Sequence, residues 1–165
     1  MESSEDKTVR NIVSYLSNYQ WKYQYSIFVD VYSLELDEAK ILATNWLLTF
    51  DDAKFRDYLR KKNNDIGMMY VIRKTLHRNH PSKKRFQQYY ITIFSTDDIK
   101  GFEEVEKYGD CCYKVADRAV LDWKIESTCK ALKTQRLHDI SSLGSKKRYT
   151  VINKSKLITK AQASS

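Results

Sequence analysis

Residues Lys84–Asp98 read KRFQQYYITIFSTDD. Side chains of an extended chain alternate between two faces, so Tyr89, Ile91 and Ile93 share one side and Gln88, Tyr90, Thr92 and Phe94 the other. The first set is apolar and suits a core. The second is mixed, as expected of a face that meets ligand or solvent. The run therefore predicts a strand. Ser95 or Thr96 then predicts the cap of a helix over residues 97–110, with Ile99, Phe102 and Val105 facing inward. Upstream, Asp65–Leu76 (DIGMMYVIRKTL) is a second β-type run. The basic turn His77–Arg85 (HRNHPSKKR), with the only proline, joins the two into a predicted hairpin.

Working outward, Val9, Ile12, Val13 and Leu16 recur at helical spacing and predict a helix over Asp6–Asn18. Within Lys22–Leu36, Ile27, Val29 and Val31 alternate with Phe28, Asp30 and Tyr32, which predicts another strand. Asp37 can cap a helix over Glu38–Phe50. Thr49 and Asp52 form a capping-box pattern ahead of Ala53–Asn64, with Asn63 and Asn64 ending that helix in left-handed geometry. Cys111–Ser127 is ambiguous between helix and strand. Thr128–Gly144 has helical spacing at Ala131, Leu132 and Ile140, and Tyr149–Ile152 is strand-like. The order predicts an α+β fold, an antiparallel sheet with helices packed on one face. Residues 1–156 form a single domain in this reading, and 157–165 a disordered basic and polar tail.

A chain of 165 residues can bury one proper core. No apolar run approaches the roughly 20 residues needed to span a bilayer. The acidic, polar start MESSEDKTVR is unlike a signal peptide, so a cytoplasmic protein without membrane partners is expected. Cys111, Cys112 and Cys129 lack zinc-ligand spacing and read as buried free thiols. The net charge of +8 is unevenly spread. Residues 1–53 carry 4 basic and 9 acidic side chains, and residues 86–129 carry 5 and 9. Residues 54–85 carry 11 basic against 2 acidic, and residues 130–165 carry 9 against 1. If folding joins the two basic blocks, the resulting face suits a phosphate backbone; apart, they are two solvated surfaces.

His77 and His80 lie among lysines and arginines without the carboxylates or thiolates that usually complete a metal site. Glycine-rich phosphate loops, nucleophile elbows and kinase motifs are absent. Asp51/Asp52 and Asp97/Asp98 stand at predicted helix starts, where capping accounts for them. Phe86, Tyr89 and Tyr90 follow Lys83, Lys84 and Arg85, an interleaving in which rings stack on bases while cations hold phosphates.

The order of these motifs over Val9–Lys156 resembles the inovirus gene-2-like family, the phage and plasmid rolling-circle replication initiators of the HUH endonuclease class. Tyr23–Leu36 looks like that family's first strand, and Gly67–Thr75 (GMMYVIRKT) its second. Phe86–Phe94 looks like its third, normally aromatic-His-x-His followed by apolar residues. Cys129–Val151 looks like its closing segment, where a Tyr-x-x-Lys motif precedes a basic run; here that run is Gly144–Thr150, GSKKRYT. The resemblance implies a ferredoxin-like or HUH-like split sandwich. It also implies a histidine pair holding a divalent cation that polarises a scissile phosphate, and a tyrosine that attacks it. In this chain the histidine positions hold Gln88 and Tyr90. The acidic position falls near Arg73, the tyrosine falls on Lys130, and the motif's lysine is Lys133.

The expectation is thus a catalytically silent DNA-binding relative from a phage, plasmid or mobile element, with no catalytic residue, metal or cofactor. Its partner would be single-stranded or hairpin DNA. The contact residues would be Arg73, Lys83, Lys84, Arg85, Gln88, Tyr90, Lys130, Lys133, Lys146, Lys147 and Arg148. Two alternatives stand beside it. One is a small interaction or inhibitor protein acting on a host or competitor complex. The other is a tyrosine nickase using Tyr89, Tyr90 or Tyr113 with carboxylate-bound metal.

Overall fold

The structure, a computed structural model, describes residues 3–30, 52–77, 86–103, 111–134 and 149–164. Its sheet has five strands: β1 (Tyr23–Asp30), β2 (Met68–His77), β3 (Phe86–Ser95), β4 (Cys111–Val115) and β5 (Tyr149–Ile152). They lie in the order β4-β1-β3-β2-β5, and every neighbouring pair is antiparallel. β3 inserts between β1 and β2, the split β-α-β arrangement. The α+β fold with an antiparallel sheet is therefore observed, and the β2–β3 hairpin pairing is present along its whole length, from Met68↔Ser95 to His77↔Phe86.

Four α-helices accompany the sheet among the described residues, α1 (Ser4–Asn18), α2 (Asp52–Lys62), α3 (Arg118–Thr134) and the single turn α4 (Lys160–Ala163), with a 3-10 turn at Lys154–Lys156. α1 starts two residues before the predicted Asp6 because the Ser3 side chain accepts from the Asp6 N–H at 3.1 Å. The ambiguous stretch 111–127 resolves into both types, β4 followed by the start of α3.

The helices occupy both faces of the sheet, not one. On one side Phe55 and Leu59 of α2 pack on Tyr25, Ile27, Met68, Tyr70, Ile72, Ile91 and Ile93. On the other, Ile12 and Leu16 of α1 and Leu121 and Leu132 of α3 pack on Trp21, Met69, Val71 and Phe94. Burying each such side chain is worth about 1.5–3 kcal/mol. The physical reason for the second layer is in β2: Met68 to Ile72 are all fully buried, so both sides of the pleat need a cover. Trp21 knits that second layer together. Its indole N–H donates to the Tyr15 carbonyl at 3.2 Å, and its own carbonyl accepts from Arg118 at 2.9 Å.

Three sequence expectations give way. α2 does end before Asn63, but neither Asn63 nor Asn64 is left-handed. The Asn63 backbone N–H closes the helix on the Leu59 carbonyl at 3.1 Å, and its buried side-chain amide donates to that same carbonyl and accepts from the Lys100 N–H at 2.8 Å. The helix expected from residue 97 does not start there: residues 97–101 form a bend and a turn, and a 3-10 turn begins only at Phe102. There Ser95 Oγ donates to the Asp97 carbonyl, and Thr96 Oγ accepts from Gly67 N–H, tying the strand end to the neighbouring turn. Ile99 and Phe102 still face inward. Residues 157–164 close on the domain in place of a loose tail: Leu157 is buried, Gln20 N–H donates to the Ile158 carbonyl at 2.7 Å, and Thr159 bridges to Tyr19. The helix expected over residues 38–50, the basic turn 78–85, Val105 and Ile140 lie outside the described residues.

Where this closing segment crosses the start of β2 there is no room for a side chain. A Cβ on Gly67 would meet Leu157 Cδ2 at 2.7 Å and backbone atoms at 2.9 Å. Asn153, at φ 53°, seals the same turn by donating to the carbonyls of Asn63 and Ile66. Gly67→Ala is therefore expected to lower stability by about 1–3 kcal/mol, the usual cost of overpacking. Urea denaturation checks this, with a lower midpoint and an unchanged slope.

Candidate nucleic-acid interface

The register around β2 decides how the proposed contact residues relate. β5 joins β2 with Tyr149 opposite Val71, and β3 joins it with Phe86 opposite His77. The chain reaches Tyr149 directly from Lys146, Lys147 and Arg148, and reaches Phe86 directly from Lys83, Lys84 and Arg85. Those six residues lie outside the described residues, but their attachment points do not. Both are on neighbours of one strand, separated along it by roughly 20 Å at ~3.3 Å per residue. Arg73 lies between them and is half-buried. The fold thus attaches the runs 83–85 and 146–148 to the two neighbours of β2, while five cations of the first basic block, Lys54, Arg56, Arg60, Lys61 and Lys62, are carried by α2.

Arg73 is directly opposite Tyr90, and Tyr90 is in turn opposite Phe28 on β1. Gln88 lies between Thr75 and Asp30. Opposed Cα atoms in an antiparallel pair are about 4.5–5.5 Å apart. A divalent cation held at positions 88 and 90 would have an amide and a phenol as ligands and a guanidinium across the ladder. These residues do not fit the cation implied by the rolling-circle initiators, since glutamine and tyrosine are weak ligands and Arg73 repels a positive charge. Among the described residues no group of three His, Cys, Asp or Glu side chains could hold a metal ion.

Lys130 and Lys133 are exposed on the last turns of α3. Lys133 lies near the half-buried thiol of Cys129, as do Lys160 and Ser17. Burial pushes that thiol up from its ordinary range despite the two lysines, which disfavours the thiolate. Tyr113 on β4 accepts a hydrogen bond from Lys124 Nζ at 2.9 Å.

A tyrosine–carboxylate contact that sequence spacing could not reveal sits on the α2 side of the sheet. The buried Tyr25 hydroxyl donates to Asp98 Oδ1 and accepts from the Ile99 N–H at 2.8 Å. Asp98 Oδ2 receives Lys114 Nζ at 2.8 Å, and that ammonium stands 5.1 Å from the Tyr23 ring centre. The partners are more than seventy residues apart, and only the pairing of β1 with β3 and β4 brings them together. Asp98 is thus a tether for Tyr25, not a helix cap. Burial, reinforced by Asp98, raises the Tyr25 pKa far above 10.0, which disfavours the phenolate that nucleophilic attack requires.

The tether implies a pH profile. Hydrogen bonds from Lys114 and then Tyr25 hold the Asp98 carboxyl below its ordinary value. Its contribution is present above the unfolded carboxylate pKa and is lost as pH falls through the folded one. Asp98→Asn should therefore flatten the acid limb of stability against pH. For Tyr25, whose folded pKa is raised, stability falls as pH climbs past the unfolded value near 10.0, and Tyr25→Phe should flatten that alkaline limb. Thermal denaturation across pH checks both.

Along the described residues no helix is long and apolar enough to cross a membrane. No family model matches the chain, and no curated protein or solved structure matches it either.

Proposed function

We propose that this chain binds single-stranded or hairpin DNA at the Arg73 end of its sheet and does not nick it. In this reading it is a catalytically silent relative of the rolling-circle initiators, carried by a phage, plasmid or mobile element. The observation that supports the reading is the β5–β2–β3 register, which attaches two basic runs on either side of Arg73. A guanidinium at a former cation position can hold a phosphate directly, with up to two parallel N–H···O bonds. The flanking lysines and arginines add contacts that release counterions, so binding weakens steeply with salt.

A second reading, a module that docks on another protein, draws on α3. Trp123 is 61% exposed, and Val120, one turn earlier, is 43% exposed. Exposed tryptophan is a common interface anchor. Lys124 Nζ lies 5.6 Å from the Trp123 ring centre, which leaves the indole partly occupied by an intramolecular cation.

Fluorescence anisotropy with a labelled single strand and a hairpin separates the two. The DNA reading expects log K to fall linearly with log salt, at ~0.7 per phosphate contacted on a single strand. Arg73→Ala should weaken binding about tenfold, the scale of a charge-assisted hydrogen bond of ~1.5 kcal/mol, while Trp123→Ala leaves it unchanged. No binding at about 50 mM salt, or salt-insensitive binding, contradicts the reading. A covalent protein–DNA adduct formed with magnesium or manganese would promote the nickase alternative.

A further inference from the structure

Between Asp6 and Asp30 the sequence has no acidic residue, and after Asp139 it has none again. The fold packs these two acid-free segments on each other. Tyr15 of α1 lies 6.3 Å, ring centre to ring centre, from Tyr149 at the start of β5. Tyr19 stacks on Tyr15 at 5.6 Å with the planes 19° apart. Lys154 Nζ stands 5.8 Å from the Tyr15 ring centre. Tyr19 also pairs with Thr159, which brings Lys160 to the same end of α1. All three tyrosines are half-buried residues at the edge of the second core layer. Lys7 and Arg10 on α1, and Lys154, Lys156 and Lys160, are exposed. Lys133 joins them from α3, since it and Lys160 both act on Cys129.

A tier of half-buried tyrosines rimmed by cations, with both contributing segments free of carboxylates, is what an unpaired nucleic acid strand requires. Every base has a face that stacks on an aromatic ring, and every phosphate needs a cation. A duplex hides its base faces and cannot use the rings. We propose that Tyr15, Tyr19 and Tyr149 form a base-stacking subsite for a single strand, with Lys133, Lys154, Lys156 and Lys160 holding its phosphates. This rests on the nucleic-acid reading above and adds to it a place and a strandedness. The chain passes straight from the basic run Lys146–Arg148 into Tyr149, so the subsite continues the Arg73 end of the sheet.

The test compares an oligothymidine with an abasic phosphodiester of equal length. The wild-type chain should bind oligothymidine about tenfold or more tightly than the abasic strand, because stacking on aromatic side chains is worth at least that much. Tyr19→Leu combined with Tyr149→Leu keeps the apolar packing. It should bring oligothymidine down to the abasic level and leave abasic affinity unchanged. Lys154→Gln, Lys156→Gln and Lys160→Gln together touch only exposed side chains. They should weaken both strands and reduce the salt slope by about 2, at ~0.7 per phosphate. A folded tyrosine variant that binds oligothymidine like wild type overturns the subsite. Should that variant not fold, an unaltered salt slope in the lysine variant overturns it alone. Loss of binding on Arg73→Ala with both subsite variants unaffected removes the subsite and keeps the broader reading. A wild-type chain that binds neither strand at about 50 mM salt removes both.

Discussion

Five consecutive side chains of β2, Met68 to Ile72, are fully buried, and a strand meets that condition only between two layers. Neighbouring side chains point to opposite faces, so each layer must supply its own apolar surface. α2 supplies one, with Phe55 meeting Tyr70 edge to face at 5.3 Å. α1 and α3 supply the other around Trp21 and Phe94, whose ring centres are 6.1 Å apart. The demand of β2 for two covers explains why the N-terminal helix returns to the sheet. It also explains why Leu157 comes back over Gly67. The same packing sets Tyr149 and Phe86 on either side of Arg73, so the functional proposal inherits its geometry from the core.

Much of this was legible in the sequence where one element carries its own signal. The alternation Tyr89, Ile91, Ile93 marks β3, and the helical spacing of Val9, Ile12 and Leu16 marks α1. The two-sided burial was also written there, in the unbroken apolar run MMYVI, but a hairpin pattern suggests one wet face and masks it. Features that depend on distant partners were not legible. Asn63 reads locally as a left-handed stop, yet its side chain is spent on Leu59 and Lys100. Asp98 reads locally as a cap, yet Tyr25 and Lys114 claim it. The segment after Lys156 is polar in composition, and its attachment depends on a single buried leucine and on backbone bonds that any sequence can make.

For the site, the sequence indicated which residues carry charge and the fold indicates where that charge is attached. By resemblance Gln88 and Tyr90 stand where a ligand pair is expected, and the register adds that Arg73 is opposite Tyr90 on the ladder. The aromatic tier at Tyr15, Tyr19 and Tyr149 is assembled from opposite ends of the chain, so no local spacing marks it. Acid-free stretches were the available signal, and net charge over larger blocks averaged them away. Tyr25, by contrast, has the carboxylate and lysine neighbours of a reactive group but is buried with its proton held in place, so chemistry-bearing residues in contact do not by themselves make a reactive site.

In the proposed reading one continuous region, running from the Arg73 end of β2 along β5 to the outer side of α1, receives a single nucleic acid strand. Ultraviolet cross-linking of the intact chain to oligothymidine, followed by mass-spectrometric mapping of the adducts, tests it most directly. Adducts are expected on peptides containing Tyr15 or Tyr19, Tyr149 and the Lys83–Tyr90 segment. Adducts confined to α2 and the Tyr25–Asp98 side of the sheet, or none at all, would contradict it.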